Sequence, residues 1–324
     1  MIIQSPESEM PEPYTTYVRQ RSETIASVLK EVVEGSNVQL CPRAITPGEQ
    51  IFKESGAIVY GAVVKDISDG YKSVLYSPRF SALGNRGIAT ANPQKAAEYT
   101  ARQLTAGNRV RIKDPHESDG QGQHIAETID DTLDIFQSIN SDNKLGVVLM
   151  PHLEKVMQRI SIGRIALGGL GTFYYIGREK TLIHQGVECY GGTSLGLFHG
   201  GSRTRQAEVE QRLDIPSSLS RMGIAALGSY EKLVLAMGRV SVDVIEGVTD
   251  NGTRLQDIID ITPRVGGTTP AEVLAIREIH KDKNAVCFSA SQLLYNPNAS
   301  PKTGTNFIDT SSLVINAQVQ EVKK

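Results

Sequence analysis

The sequence has no apolar run near the roughly 20 residues that carry a helix across a bilayer, so no membrane partner is expected. It lacks a charge excess as well. Its 34 Lys and Arg stand against 36 Asp and Glu, a net charge of -2. A non-specific nucleic-acid binder is usually basic, so nucleic acid is not an expected partner. Cysteine is scarce and scattered: Cys41, Cys189 and Cys287 form no CxxC pair. That excludes a disulfide framework or a paired-cysteine metal site and fits a reducing cytoplasm. The opening MIIQSPESEMPEPY has neither a basic n-region nor an apolar h-region, so it reads as a tail rather than a signal peptide. Repeats, low-complexity tracts and heptads are missing. No GKS or GKT follows a glycine loop, which excludes a Walker A site. The string IALGGLGTFYYIG runs into strand-like residues where a dinucleotide fingerprint needs a helix, so it reads as a hairpin turn.

What remains is an ordinary globular composition, 40% apolar and 22% charged, in 324 residues. Residues 23–34 place Ile25, Val28, Leu29 and Val32 on one helical face, with Gly35 as the stop. Short strands are expected at NVQLC, AIVYGAVV and YKSVLY. NPQKAAEYTARQLTAG predicts a helix with Asn92 as N-cap, Pro93 in the first turn and Gly107 beyond the end. Strand RVRIK follows, then a polar glycine loop and a helix with apolar residues at 125, 129, 133, 136 and 139. LGVVLM is the next strand. From 159 the pattern is antiparallel β: RISIGRIAL, the GGLG turn, TFYYIG. A helix is expected over 217–237, ended by Gly238, and TTPAEVLAI predicts another with Thr269 as N-cap. The terminal SLVINAQVQEV alternates like a strand whose partner is the N-terminal domain or a second subunit.

The stretch GRVSVDVIEGVTDNGTRLQDIIDITPR contains Asn251-Gly252, the dipeptide of a two-residue type I′ hairpin turn. Paired residues then sum to 503, which sets Asp243 opposite Asp260 over an apolar underside of Val242, Val244, Ile259 and Ile261. Facing carboxylates repel unless a divalent cation lies between them. Hard oxygen ligands with few protein contacts suit Mg²⁺. Without a cation the same acids form a solvated hairpin face. Thr262 and Arg264 continue that face, and the arginine offers an anion a second positive partner. Upstream, RVRIKDPHESDGQGQH points Val110 and Ile112 one way and Arg111 and Lys113 the other. Lys113 ends the strand beside a loop with Gly120, Gln121 and Gly122, where backbone N–H groups and an ammonium can hold phosphate oxygens. The same loop also reads as a plain surface turn.

In order, RIKDP with DGQGQ, GVVLMPHLE, SVDVIEG and DITPR resemble the ATP-grasp superfamily of ligases over about residues 95–275. The resemblance implies an α+β fold of three parts: a small N-terminal α/β domain (1–95), a lid (96–156) and an antiparallel core (157–324). It implies ATP and Mg²⁺ as cofactors, with Lys113 on the phosphates and Met150, Pro151, His152 and Leu153 as the adenine linker. Glu154 is implied as a ribose contact, Asp243, Asp260 and Thr262 as metal ligands, and Arg264 as the arginine after the proline. Asp260 is shorter than the usual glutamate, and Thr262 stands where asparagine is usual. The implied activity joins a carboxylate to an amine through an acyl phosphate, with ADP released. Arg264, Gly266, Gly267 and Thr268 would face the substrate. The glycine-rich 188–205, with Arg203 and Arg205, either lines the acceptor site or is a surface loop. A small-molecule kinase and a nucleotide-binding protein with impaired chemistry are the alternatives, and the protein is expected as a monomer or homodimer.

Overall fold

The first helix, α1 (Tyr14–Val32), begins well before the expected start and buries the expected stripe of Ile25, Val28, Leu29 and Val32. The structure, a computed structural model, describes residues 14–33, 38–40, 58–64, 72–76, 80, 86–115, 122–142, 146–184, 187–294, 303–309 and 313–324. Strands β1 (Val38–Leu40) and β2 (Ile58–Tyr60) pair in parallel, and β3 (Ala62–Val64) follows. YKSVLY is not the expected strand but a 3-10 turn, Lys72–Tyr76. Its buried residues, Val74 and Leu75, are adjacent, whereas adjacent strand residues point to opposite faces.

A four-stranded antiparallel sheet comes next, built from β4 (Ile88–Thr90), β5 (Val110–Lys113), β6 (Gln123–Ala126) and β7 (Val147–Pro151). Its order is β4-β7-β5-β6, and α2 (Pro93–Thr105) and α3 (Ile129–Asp142) pack on it. Helix α2 is capped as expected: Asn92 Oδ1 accepts the Lys95 N–H at 3.2 Å, and Gly107 lies at φ +80°. The stripe expected for α3 is only half buried. Phe136 and Ile139 enter the core, but Ile129 and Leu133 are exposed and Ile125 belongs to β6. Thr132 is buried instead, hydrogen-bonded to Thr100 of α2 at 3.0 Å.

The remainder runs through β8 (Leu153–Ala166), β9 (Thr172–His184), β10 (Val187–His199), α4 (Arg203–Leu213), α5 (Ser217–Glu231) and β11 (Val234–Met237). It ends with β12 (Arg239–Thr249), β13 (Arg254–Thr262), α6 (Thr269–Ile279), β14 (Val286–Leu294), β15 (Thr305–Asp309) and β16 (Val314–Lys323). Eight strands form one sheet in the order β13-β12-β8-β9-β10-β14-β16-β15. The GGLG turn joins β8 to β9 as expected.

The helix expected over 217–237 stops at Glu231, because residues 234–237 pair with β3. Residues 188–199 are strand, not loop. The glycines that hid the strand pattern answer packing needs: a Cβ on Gly196 would lie 2.6 Å from Val209 of α4. The terminal strand β16 pairs with β14 and β15 of its own sheet.

The chain divides into two compact units. One holds Met1–Gly70, Ile160–Val242 and Thr262–Lys324; the other holds Tyr71–Arg159 and Asp243–Ile261. In the first, α1 and α6 share one apolar core with Phe173, Tyr175, Leu195 and Leu197 of the large sheet. Among the described residues, no helix is long and apolar enough to cross a membrane.

Candidate active site

In the second unit, Val110 and Ile112 of β5 turn into the core of the four-stranded sheet, and Lys113 ends the strand, itself only 6% exposed. Burial first, and then the neighbouring Lys72, pull the Lys113 ammonium down to about 7. Arg111 and Arg159 act in the same direction, while Asp260 opposes them. Asp260 Oδ2 lies 3.5 Å from Lys72 Nζ, and its Oδ1 accepts the Ile261 N–H at 2.8 Å. Lys113 and Asp260 are therefore brought together, and Lys72 joins them from a segment read as an ordinary strand.

A second acid sits alongside. Asp257 is buried, and burial raises its carboxyl to about 6. It accepts the N–H groups of Arg86 (3.3 Å) and Ile258 (2.9 Å). Beyond Lys113, Asp114 N–H donates to the carbonyl of Gly122 (2.9 Å), which lies at φ +62°. Gly120 and Gln121 lie outside the described residues.

The hairpin turn differs from the expected one. Among the described residues Asp214 is the only non-glycine with positive φ, so Asn251 cannot be the first residue of a type I′ turn. The tip is a three-residue loop, Asp250-Asn251-Gly252, with Gly252 at φ +83°. Thr249 N–H donates to Thr253 O and Gly252 N–H to Thr249 O, both at 2.9 Å. Its cause lies in the groups it grips. Asn251 Nδ2 donates to Ala106 O (2.8 Å) and Asn251 N–H to Asn108 Oδ1 (3.2 Å), while Asp250 accepts from Arg109. With Thr249 opposite Thr253, paired numbers sum to 502 rather than 503, and the Gln256–Glu246 bond (2.8 Å) keeps that register. Direct opposition of Asp243 and Asp260 therefore does not follow from the turn. A one-residue bulge farther along the ladder would be needed to face them.

The expected linker joins β7 to β8. Met150 is buried opposite Arg111, and Pro151 pairs with Val110. His152 N–H donates to Arg109 O at 2.9 Å, and its Nδ1 lies 3.3 Å from Arg111 Nη2. Burial and then Arg111 hold this imidazole below its ordinary pKa. Leu153 packs with Ile245 and Leu255. His152, Glu154 and Asp250 bring ligand atoms within 4.8 Å of one another, a spacing a metal could use. Arg109 Nη2 fills that place, 2.5 Å from Glu154 Oε2 and 2.8 Å from Asp250 Oδ1. The cluster is thus a guanidinium site.

In the first unit, Thr262 ends β13 and Arg264 lies two residues beyond it, where its Nη1 donates to Val265 O at 3.1 Å. Gly266 N–H donates to Thr269 Oγ1 (3.0 Å), so Thr269 braces the turn while Thr268 takes the N-cap position of α6. A Cβ on Gly267 would lie 2.6 Å from the Tyr190 ring. Beneath this turn lies an arginine that the sequence did not single out. Arg239 is fully buried and donates to Thr262 O (2.7 Å) and Arg264 O (2.6 Å) through Nη1. Its Nε and Nη2 reach Glu272 at 3.1 and 2.6 Å, and Nη2 also reaches Thr268 Oγ1 at 2.8 Å. Tyr60 OH donates to Glu272 at 2.8 Å. Arg203 opens α4 and is exposed, whereas Arg205 donates to His199 O (3.0 Å) and Asn284 Oδ1 (3.1 Å).

The profile of the family described as Protein of unknown function (DUF3182) matches residues 54–310. The chain belongs to the DUF3182 family. No curated protein matches the sequence. Among solved structures, this DUF3182 chain is similar to Staphylococcus aureus N5-carboxyaminoimidazole synthetase complexed with ADP, at 11% identity and a TM-score of 0.55. That likeness covers 98% of this chain and 86% of the other. The biotin carboxylase domain of Hydrogenobacter thermophilus 2-oxoglutarate carboxylase, in complex with MgADP, ADP and bicarbonate, is 11% identical with a TM-score of 0.53. It covers 95% of this chain and 74% of the other. Campylobacter jejuni biotin carboxylase in its β-γ-ATP complex is 10% identical, with a TM-score of 0.50 over 99% and 81% of the two chains. The DUF3182 chain has the ATP-grasp fold.

Proposed function

We propose that the protein is an ATP-dependent, ADP-forming ligase that joins a small carboxylate to an amine. The observation that carries this reading is the environment of Lys113: a buried ammonium beside Lys72, with Arg111 and Arg159 adding positive charge that Asp260 only partly offsets. A polyphosphate is the ligand that relieves such crowding, since each anionic oxygen replaces lost water with a charge-assisted hydrogen bond. The ligands in the similar structures, ADP, MgADP and β-γ-ATP, support the same reading.

Lys113, Lys72, Gly122 and the neighbouring Gly120 and Gln121 are assigned to the phosphates. Met150, Pro151, His152, Leu153 and Glu154 are assigned to adenine and ribose. The donor set also fits Mg²⁺. Asp260 offers hard carboxylate oxygens beside the lysines, and Asp243 and Thr262 are the further ligands proposed. Bound Mg²⁺ supplies charge neutralisation at the phosphate oxygens. Arg264 has the role of stabilising charge that grows at the reacting oxygens, and Gly266, Gly267 and Thr268 that of binding the substrate carboxylate. Arg203 and Arg205 are proposed as more distant anchors. Phosphoryl transfer needs little from the protein except positioning and charge, which is what this set provides.

Mg-ATP at millimolar concentration is expected to raise the melting temperature. No shift would overturn the reading. ADP release that requires both a carboxylate and an amine selects the ligase, whereas release with a hydroxyl acceptor alone selects a kinase. Replacing Arg264 with alanine is expected to lower turnover far more than Mg-ATP affinity; equal loss of both contradicts its assignment.

A further inference from the structure

We infer that Arg239 and Glu272 are positioning residues that hold the Thr262–Thr268 turn in one geometry, so that Thr262 and Arg264 face the same way; this rests on the ligase reading above. Both side chains are fully buried, and the guanidinium spends all its donors inside the protein. Nη1 is divided between the carbonyls of Thr262 and Arg264, the residues flanking Pro263. The carbonyl between them, Pro263 O, points elsewhere and accepts the Ala62 N–H at 2.9 Å. Alternating carbonyls define extended backbone, in which residues two apart share a face. Arg239 therefore reads out and fixes the two-residue phase of this segment.

The far end of the turn is held by the same group. Nη2 reaches Thr268 Oγ1, whose hydroxyl donates in turn to Glu272 Oε1. Tyr175 OH lies 3.2 Å from Nη2 and 3.1 Å from Thr268 Oγ1, which closes the network. One side chain thus grips residues 262, 264 and 268. A buried ion pair is a poor way to gain stability, because well-packed apolar residues of similar volume serve as well or better. Its use beneath the arginine proposed to act on the reacting oxygens points to geometry as the benefit. Neither residue touches substrate in this assignment; both act through the turn.

The test is the double substitution Arg239→Met with Glu272→Leu, which removes both charges together and leaves neither orphaned. We expect its melting temperature to equal or exceed that of the unaltered protein. Mg-ATP affinity by calorimetry is expected to stay within about 3-fold, while basal ADP release from Mg-ATP falls by roughly 50-fold or more. Amides of residues 262–268 should exchange at least about 10-fold faster, with those of β9 unchanged. If ADP release is retained, the inference is overturned and the ligase reading stands. If the unaltered protein binds no Mg-ATP, the ligase reading falls, and unchanged exchange in 262–268 then overturns the clamp as well. Should the double variant fail to fold, Arg239→Lys keeps the ion pair but cannot span both carbonyls, and the same affinity, release and exchange pattern is expected.

Discussion

Lys113 shows how a single buried charge ties stability to binding. Its pKa is about 7 in the folded protein against the ordinary 10.5. Between those values the unfolded chain binds more protons, so this group makes stability rise with pH and burdens the fold below 7, on the order of a few kcal/mol. Lys113→Met should therefore raise the melting temperature at pH 6, with the gain shrinking towards pH 10, and should abolish the Mg-ATP shift. A bound polyanion favours the ammonium, so binding near pH 8 should take up a proton and weaken as pH rises above 7. Calorimetry in buffers of different ionisation enthalpy reads that uptake, and none would contradict the assignment. Lys113 was legible because a strand of alternating Val110 and Ile112 ends on it. Lys72 was not, since its turn imitates a strand. Arg239 was invisible for another reason: its partners come from residues 175, 262, 264, 268 and 272, which no local pattern connects.

Elements with a local cause were legible; those decided by distant packing were not. The α2 cap is set by Asn92, Pro93 and Gly107 alone, and it formed as read. The β12–β13 hairpin also formed, but its turn type was chosen by Ala106, Asn108 and Arg109, outside the hairpin. Two glycines separate the causes by experiment. Gly252 has open space around it but φ of +83°, so Gly252→Ala should cost about 1 kcal/mol from backbone strain. A Cβ on Gly163 would fall 1.9 Å from the Tyr175 ring. Gly163→Ala must displace that ring, which hydrogen-bonds Arg239, and should cost roughly 1–3 kcal/mol from overpacking. Urea unfolding of both variants measures the losses, and a smaller loss for Gly163→Ala than for Gly252→Ala would contradict the separation.

At the scale of the molecule, the ATP-grasp fold was readable from the sequence while the strand order was not. Sheet neighbours such as β10 and β14 come from distant parts of the sequence. Strand β16 lies between β14 and β15, so a chain cut after residue 309 should lose the sheet edge and become insoluble or melt far lower. Circular dichroism with a sedimentation assay reports this, and an unchanged melting curve would refute it. The chain also passes between its compact units four times, after Gly70, Arg159, Val242 and Ile261. The unit that starts first is therefore completed last. While the protein is being made, α1 has its apolar stripe ready long before α6, its companion in the same core, exists. Roughly 250 residues must still be added, which takes roughly 12–50 s at ordinary elongation rates. Through that interval the ribosome displays an unpaired greasy helix, which makes the nascent chain a natural client for chaperones that bind hydrophobic segments.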